Sequence, residues 1–194
     1  MLRGGQITYM FLSEKKQTNL DNHKTYKFSL SGGFNSGIEA SNFIIKISNA
    51  FKKSPSIRNL AVKIVNSAPS HDFLKEVELL FNWVRDNIRY IRDIKGVETL
   101  QIPTVTLPDY YSKIGIGAGD CDDHVILLLS FLLSIGISDL NIRIVAYKPE
   151  DREFRHIYLC WLYKGKEYIM DSIAKNKAFG WEVNYYSKKD IKVK

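Results

Sequence analysis

Apolar residues recur at helical spacing three times in the first half of the chain. Ala40, Phe43, Ile44, Ile47, Ala50 and Phe51 form one stripe that stops before Pro55. Ile57, Leu60, Ala61, Ile64, Val65 and Ala68 form a second that ends before Pro69, so the two are expected to make a helical hairpin. A third helix is predicted to open near Ser70 or Asp72 and to bury Phe73, Leu74, Val77, Leu80, Phe81, Val84 and Ile88. Ahead of these, Ile7 to Leu12 reads as a short strand, and the polar segment through Ser31-Gly32-Gly33 as turn chemistry.

The second half opens differently. Between Arg92 and Gly119 the periodicity fades and Pro103 and Pro108 appear, which predicts a long connection that walls a cleft. Val125 to Ile135 is then uncharged and apolar and closes at Gly136, so it reads as a buried helix. Asp120 can cap its first free N–H groups, with Asp123 completing a capping-box pair. Asn141 to Tyr147 alternates as a strand, Pro149-Glu150-Asp151 supplies a turn, and His156–Tyr163 and Lys166–Asp171 flank a two-residue hairpin loop, Lys164-Gly165. Helices first and strands afterwards predict an α+β fold, with the helical N-terminal half packed on an antiparallel sheet.

Composition bounds this picture. The 194 residues are 45% hydrophobic, enough for one sizeable core, and a single domain over 1–194 is expected. The net charge of +7 is dispersed, and only Lys188 to Lys194 clusters, which reads as a solvated, frayed terminus. A nucleic-acid-binding reading rests on charge alone, so nucleic acid is not an expected partner. Two cysteines make no disulfide framework, the first residues show no secretory leader, and no apolar run reaches the roughly 18 residues that span a bilayer. A soluble, cytoplasmic protein without a membrane partner is expected.

Candidate chemistry centres on Cys121. It falls in the first turn of the buried helix, where the helix dipole favours a thiolate. Asp122 and Asp123 oppose that charge, so a cation, best a histidinium, is needed from elsewhere in the chain. The hairpin offers one. Its alternation puts His156, Tyr158, Cys160 and Leu162 on one face, and a Lys164-Gly165 loop sets Tyr158 opposite Asp171. His156 and Asp171 then lie diagonally adjacent on that face, and a four-residue loop would keep them so, whereas a three-residue loop would not. A carboxylate-oriented histidine beside a helix-start cysteine is the arrangement that thiol acyl transfer needs.

The motifs Gly119-Asp120-Cys121-Asp122-Asp123, His156-Ile-Tyr and Tyr168-Ile-Met-Asp171 resemble the transglutaminase-like family of the papain-like cysteine proteinase fold, in its compact prokaryotic and phage-encoded form. Cysteine, histidine and aspartate occur in the family's order. Phe81-Asn-Trp83 through Tyr90 resembles the helix that precedes the family's cysteine loop, and the resemblance covers about residues 70 to 175. It implies Cys121 as nucleophile at the start of the central helix, His156 as base and Asp171 as orienting acid. Gln101 resembles a glutamine of the phage-type members that donates to an oxyanion. Ser172 departs from the proline or threonine that often follows the acid. The first 70 residues match no motif, and residues 1–38 read as an N-terminal extension.

The resemblance implies a cysteine hydrolase or acyltransferase (protease, transamidase or deamidase) that works on a protein or peptide through a thioester and uses no cofactor or metal. The alternative is a catalytically idle binding module in a phage or prophage assembly, associated with a virion. His124, three positions after Cys121, competes with His156 as base but lacks an acid to orient it. Asp120, Cys121, Asp123 and His124 could ligate zinc, although ligands so close on one turn converge poorly. Cys160, about 13 Å along the strand from His156, reads as a core residue. His23 and His71 read as surface residues, and Trp83 and Trp161 as core or cleft wall.

Overall fold

The computed structural model describes residues 6–12, 23–29, 32–93, 97–108 and 116–194. Two short strands, β1 (Gln6–Leu12) and β2 (His23–Ser29), pair antiparallel. The polar segment was expected to carry only turns, yet it contains β2, and its alternation Thr25-Tyr26-Lys27-Phe28 is the strand signal that the surrounding polarity masks. Three helices follow: α1 (Phe34–Phe51), α2 (Pro55–Val65) and α3 (Phe73–Asn87). α1 begins six residues before the apolar stripe at Ala40. α2 starts with Pro55 in its first turn, where the missing N–H costs nothing. α3 is capped by Asp72, whose side chain accepts from the Lys75 N–H at 3.0 Å. It buries Val77, Leu80, Phe81 and Val84, but Phe73, expected inside, is 43% exposed because it sits at the helix mouth.

The stretch predicted as a long connection carries short elements of its own among its described residues. β3 (Ile88–Tyr90) continues directly from α3 and pairs in parallel with β5 (Gly117–Gly119). Between them, β4 (Val97–Gln101) pairs in parallel with β1, and α4 (Pro103–Thr106) makes one turn. Three-residue pairings carry too little periodicity to be read from sequence. Residues 109–115 lie outside the described residues, and with them part of the expected cleft wall.

α5 (Cys121–Ser134) is the central helix. Residues Asp122 to Leu132 are all buried, so the helix is enclosed on every side, as an apolar circumference requires. A four-stranded sheet, in the order β8–β7–β6–β9, lies against it: β6 (Leu140–Ala146), β7 (His156–Tyr163), β8 (Lys166–Met170) and β9 (Ser187–Lys192), each antiparallel to its neighbour. Ile142, Ile144, Ile157, Leu159, Trp161 and Met170 join the helices in one core, so the expected α+β arrangement of helices on an antiparallel sheet is what the chain adopts. Trp83 also packs on this core, edge-on to Phe131 with ring centroids 5.6 Å apart. The opposite face holds a smaller cluster, Val145, Tyr158, Cys160 and Ile169, covered by Val183 and Tyr185.

The basic tail is not a frayed terminus. It forms β9, hydrogen-bonded along β6 from Ser187 to Lys192, and Val193 N–H donates to the Leu140 carbonyl at 3.0 Å. Ile191 and Val193 point into the core between the charged residues, a strand alternation hidden inside a charge cluster.

Candidate active site

The helix start is built before the cysteine arrives. Asp120 adopts extended backbone and its carboxylate accepts from the N–H groups of Asp122 (3.0 Å) and Asp123 (3.4 Å), while Asp123 reaches back to the Asp120 N–H at 3.2 Å. The predicted capping box is therefore present. Asp123 does more than cap. Its two oxygens also take the backbone N–H and the side-chain Nε2 of Gln101, each at 2.7 Å. Burial pushes the Asp123 carboxyl well up, the Asp120 carboxylate adds to this, and the N–H donors of Gln101 and Asp120 pull the other way. Gln101, for which the resemblance implies an oxyanion donor, thus joins β4 to the start of α5.

Gly119 makes this junction sterically feasible. A Cβ there would lie 2.5 Å from the Asp123 Cβ and 2.7 Å from its Oδ2, closer than side chains pack. Gly119→Ala is accordingly expected to lower stability by about 1–3 kcal/mol, read from urea unfolding. An unchanged midpoint would show that the helix start can shift freely.

The second half of the site comes from the β7–β8 hairpin. Lys164 and Gly165 both have positive φ, 50° and 76°, as a two-residue loop of this hand demands. The pairing of Leu159 with Met170 carries Tyr158 opposite Asp171, the register expected from sequence. His156 Nε2 and Asp171 Oδ2 are 2.8 Å apart, and both side chains are almost wholly buried. The other carboxylate oxygen, Oδ1, is buried without a hydrogen-bond partner.

His124 is placed elsewhere. It is buried on α5, its Nδ1 is 3.2 Å from Ser172 Oγ, and burial, with Lys175 as a lesser cause, lowers its pKa to about 4. Its ring therefore stays neutral and pins the residue next to Asp171 against the helix, one turn from Cys121. Of the four candidate zinc ligands, Asp120 Oδ1, both Asp123 oxygens and His124 Nδ1 are turned to backbone N–H groups, Gln101 or Ser172, while His124 Nε2 is buried without a hydrogen-bond partner. Among the described residues no group of three or more His, Cys, Asp or Glu side chains is placed to hold a metal ion. Cys160 is fully buried, and burial raises its thiol pKa. His71 is exposed, at φ 62°, ahead of α3.

Cys121 is half-buried, with Sγ 3.8 Å from Asp122 Oδ1. Two tyrosines that the sequence did not single out lie within electrostatic reach of it. Tyr147, just after β6, stacks on the His156 ring with centroids 6.4 Å apart and planes 27° apart. Its hydroxyl lies within electrostatic reach of Asp171, Cys121 and Tyr90, and burial together with these groups raises its pKa to about 12. Tyr90, at the end of β3, lies near Cys121 and Asp120 and hydrogen-bonds to Arg92. The only sequence signal for Tyr147 was its place at the end of a strand that neighbours His156.

No family model matches the chain, and no curated protein matches it. Among solved structures it is similar to a candidate protease from Parabacteroides distasonis, at 12% identity and a TM-score of 0.48, over 82% of this chain and 30% of that one. It is also similar to LapG of Legionella pneumophila, at 18% identity and 0.43, over 70% of this chain and 74% of that one. A candidate cysteine protease from Cytophaga hutchinsonii aligns at 14% identity and 0.46, over 87% of this chain and 59% of that one. The chain therefore spans under a third of the first of these proteins. No helix among the described residues is long and apolar enough to cross a membrane.

Proposed function

We propose that this chain is a cysteine-dependent amide hydrolase or acyltransferase of the transglutaminase-like type, with Cys121 as nucleophile, His156 as base and Asp171 as the acid that orients it. One observation supports the reading: a buried histidine–carboxylate pair at 2.8 Å, with Ser172, the residue after Asp171, docked 3.2 Å from His124, which lies one turn along α5 from the half-buried Cys121. Asp171 occupies Nε2, which fixes the neutral ring with its proton on that nitrogen and leaves Nδ1 as the basic one. The Cys121 thiol proton passes to Nδ1, and Sγ attacks the amide carbonyl of a protein or peptide. When the tetrahedral adduct collapses, the C–N bond breaks and His156 returns the proton to the departing amine. A thioester remains on Cys121. Attack by water gives hydrolysis or deamidation, and attack by an amine gives transamidation. The charge on the imidazolium also offsets Asp122, the carboxylate beside the sulfur.

The two cysteines test this against each other. Iodoacetamide at mildly acidic pH is expected to alkylate Cys121 rapidly and leave Cys160 untouched, because only the first has access, a helix N-terminus and a histidine. His156→Ala should slow that labelling. Peptide mapping decides, and equal labelling of both thiols, or none at Cys121 before unfolding, would favour an idle binding module.

A further inference from the structure

The acyl-transfer reading leaves one requirement unassigned: a donor for the negative charge that develops on the carbonyl oxygen. The Gln101 amide donates to Asp123 at 2.7 Å, and Tyr90 is engaged with Arg92. Tyr147 differs from both. Its hydroxyl makes no hydrogen bond among the described residues, although its ring is fixed from two sides. One side is the stack on His156. The other is its backbone: the N–H groups of Tyr147 and Lys148 donate to Asp151 Oδ2 at 2.9 and 3.0 Å, and Arg155 N–H to the Val145 carbonyl at 2.7 Å closes the turn. A phenol held this way, 42% exposed, stacked on His156 and within electrostatic reach of Cys121 and Asp171, is a preorganised donor that lacks only its acceptor.

From this placement we infer that Tyr147 is a further catalytic residue, its hydroxyl donating a hydrogen bond to the oxyanion of the tetrahedral adduct on Cys121. When Sγ bonds to the carbonyl carbon, the C=O electron pair moves to oxygen, and Tyr147 O–H stabilises that oxygen without giving up its proton. When the adduct collapses the pair returns, the C–N bond breaks, and the leaving amine takes its proton from His156. The phenol ends the cycle unchanged. Because its pKa is raised, it stays protonated through the pH range of thiol chemistry.

The inference rests on the acyl-transfer reading, and two reactions of one thiol separate the two. p-Nitrophenyl acetate acylates a thiolate through an oxyanion, whereas iodoacetamide alkylates it by direct displacement and builds none. Tyr147→Phe keeps the ring and its stack on His156. It is expected to slow the p-nitrophenolate burst by about 10²- to 10³-fold, the usual cost of losing one oxyanion donor, while Cys121 alkylation stays within about twofold. Continued protection of Cys160 in the same digest reports that the variant is folded. An unchanged burst overturns the assignment. So does equal slowing of both reactions, which would mean that the hydroxyl acts through the imidazole or the thiol. A wild-type chain that is alkylated at Cys121 but never acylated defeats the acyl-transfer reading itself, and this assignment with it.

Discussion

Asp171→Asn is expected to lower the rate of acyl transfer by roughly 10³- to 10⁴-fold, the scale seen where an orienting carboxylate is neutralised in a nucleophile–histidine–acid arrangement. The reason is tautomeric. An amide at this position can present its NH₂ to Nε2, which moves the ring proton to Nδ1 and removes the base. Loss of the carboxylate also removes the charge that stabilises the imidazolium. The fold should be retained, since asparagine matches aspartate in shape and Ser172 still docks on His124. Burst kinetics with an activated ester, beside near-ultraviolet circular dichroism, measure the two separately. A loss of only a few-fold with an intact fold would mean that another group orients His156.

Arg143→Ala is expected to destabilise the fold by about 3 kcal/mol, the lower end of the cost of breaking a buried ion pair, because the arginine is buried while the three carboxylates it leaves are 28–41% exposed. Arg143 lies on β6 with its side chain 1% exposed. Its guanidinium holds both oxygens of Asp190 on β9 at 2.7 and 2.8 Å, both of Glu167 on β8 at 3.0 and 2.8 Å, and Glu182 at 2.7 Å. Tyr158 O–H donates to Glu182 at 2.9 Å and extends the cluster. Burial works against the guanidinium charge, but the three carboxylates outweigh it and raise its pKa, and Asp190 is lowered in turn, first by its hydrogen bond from Arg143. Without the arginine, three like charges face one another across three segments of chain. Glu167→Gln is the contrast: that side chain is 41% exposed, and its loss should cost about 1 kcal/mol or less. Urea unfolding of the two variants checks the difference, and similar midpoints would mean that the cluster contributes little.

The chain's local physics was legible without coordinates. Periodicity located α1, α2 and α3, because each buries a stripe set by residues three and four apart. Asp120 and Asp123 announced the start of α5, since a capping box is made within four residues. A two-residue loop determined which face His156 and Asp171 share, so the pair at 2.8 Å followed from counting along a hairpin.

What the sequence could not determine lies between residues distant along the chain. Nothing near Gln101 shows that its amide belongs to Asp123, and nothing near His124 shows that Ser172 will bury it. β9 was hidden because its lysines dominate the composition, whereas its place depends on Arg143, some 45 residues earlier, having a carboxylate to hold. The role of Tyr147 is of the same kind. A hydrophobic or polar pattern records which side of an element faces the core, but the docking of Ser172 on His124 and of Tyr147 on His156 is decided by how α5 and the sheet pack together, and that packing has no period in the sequence.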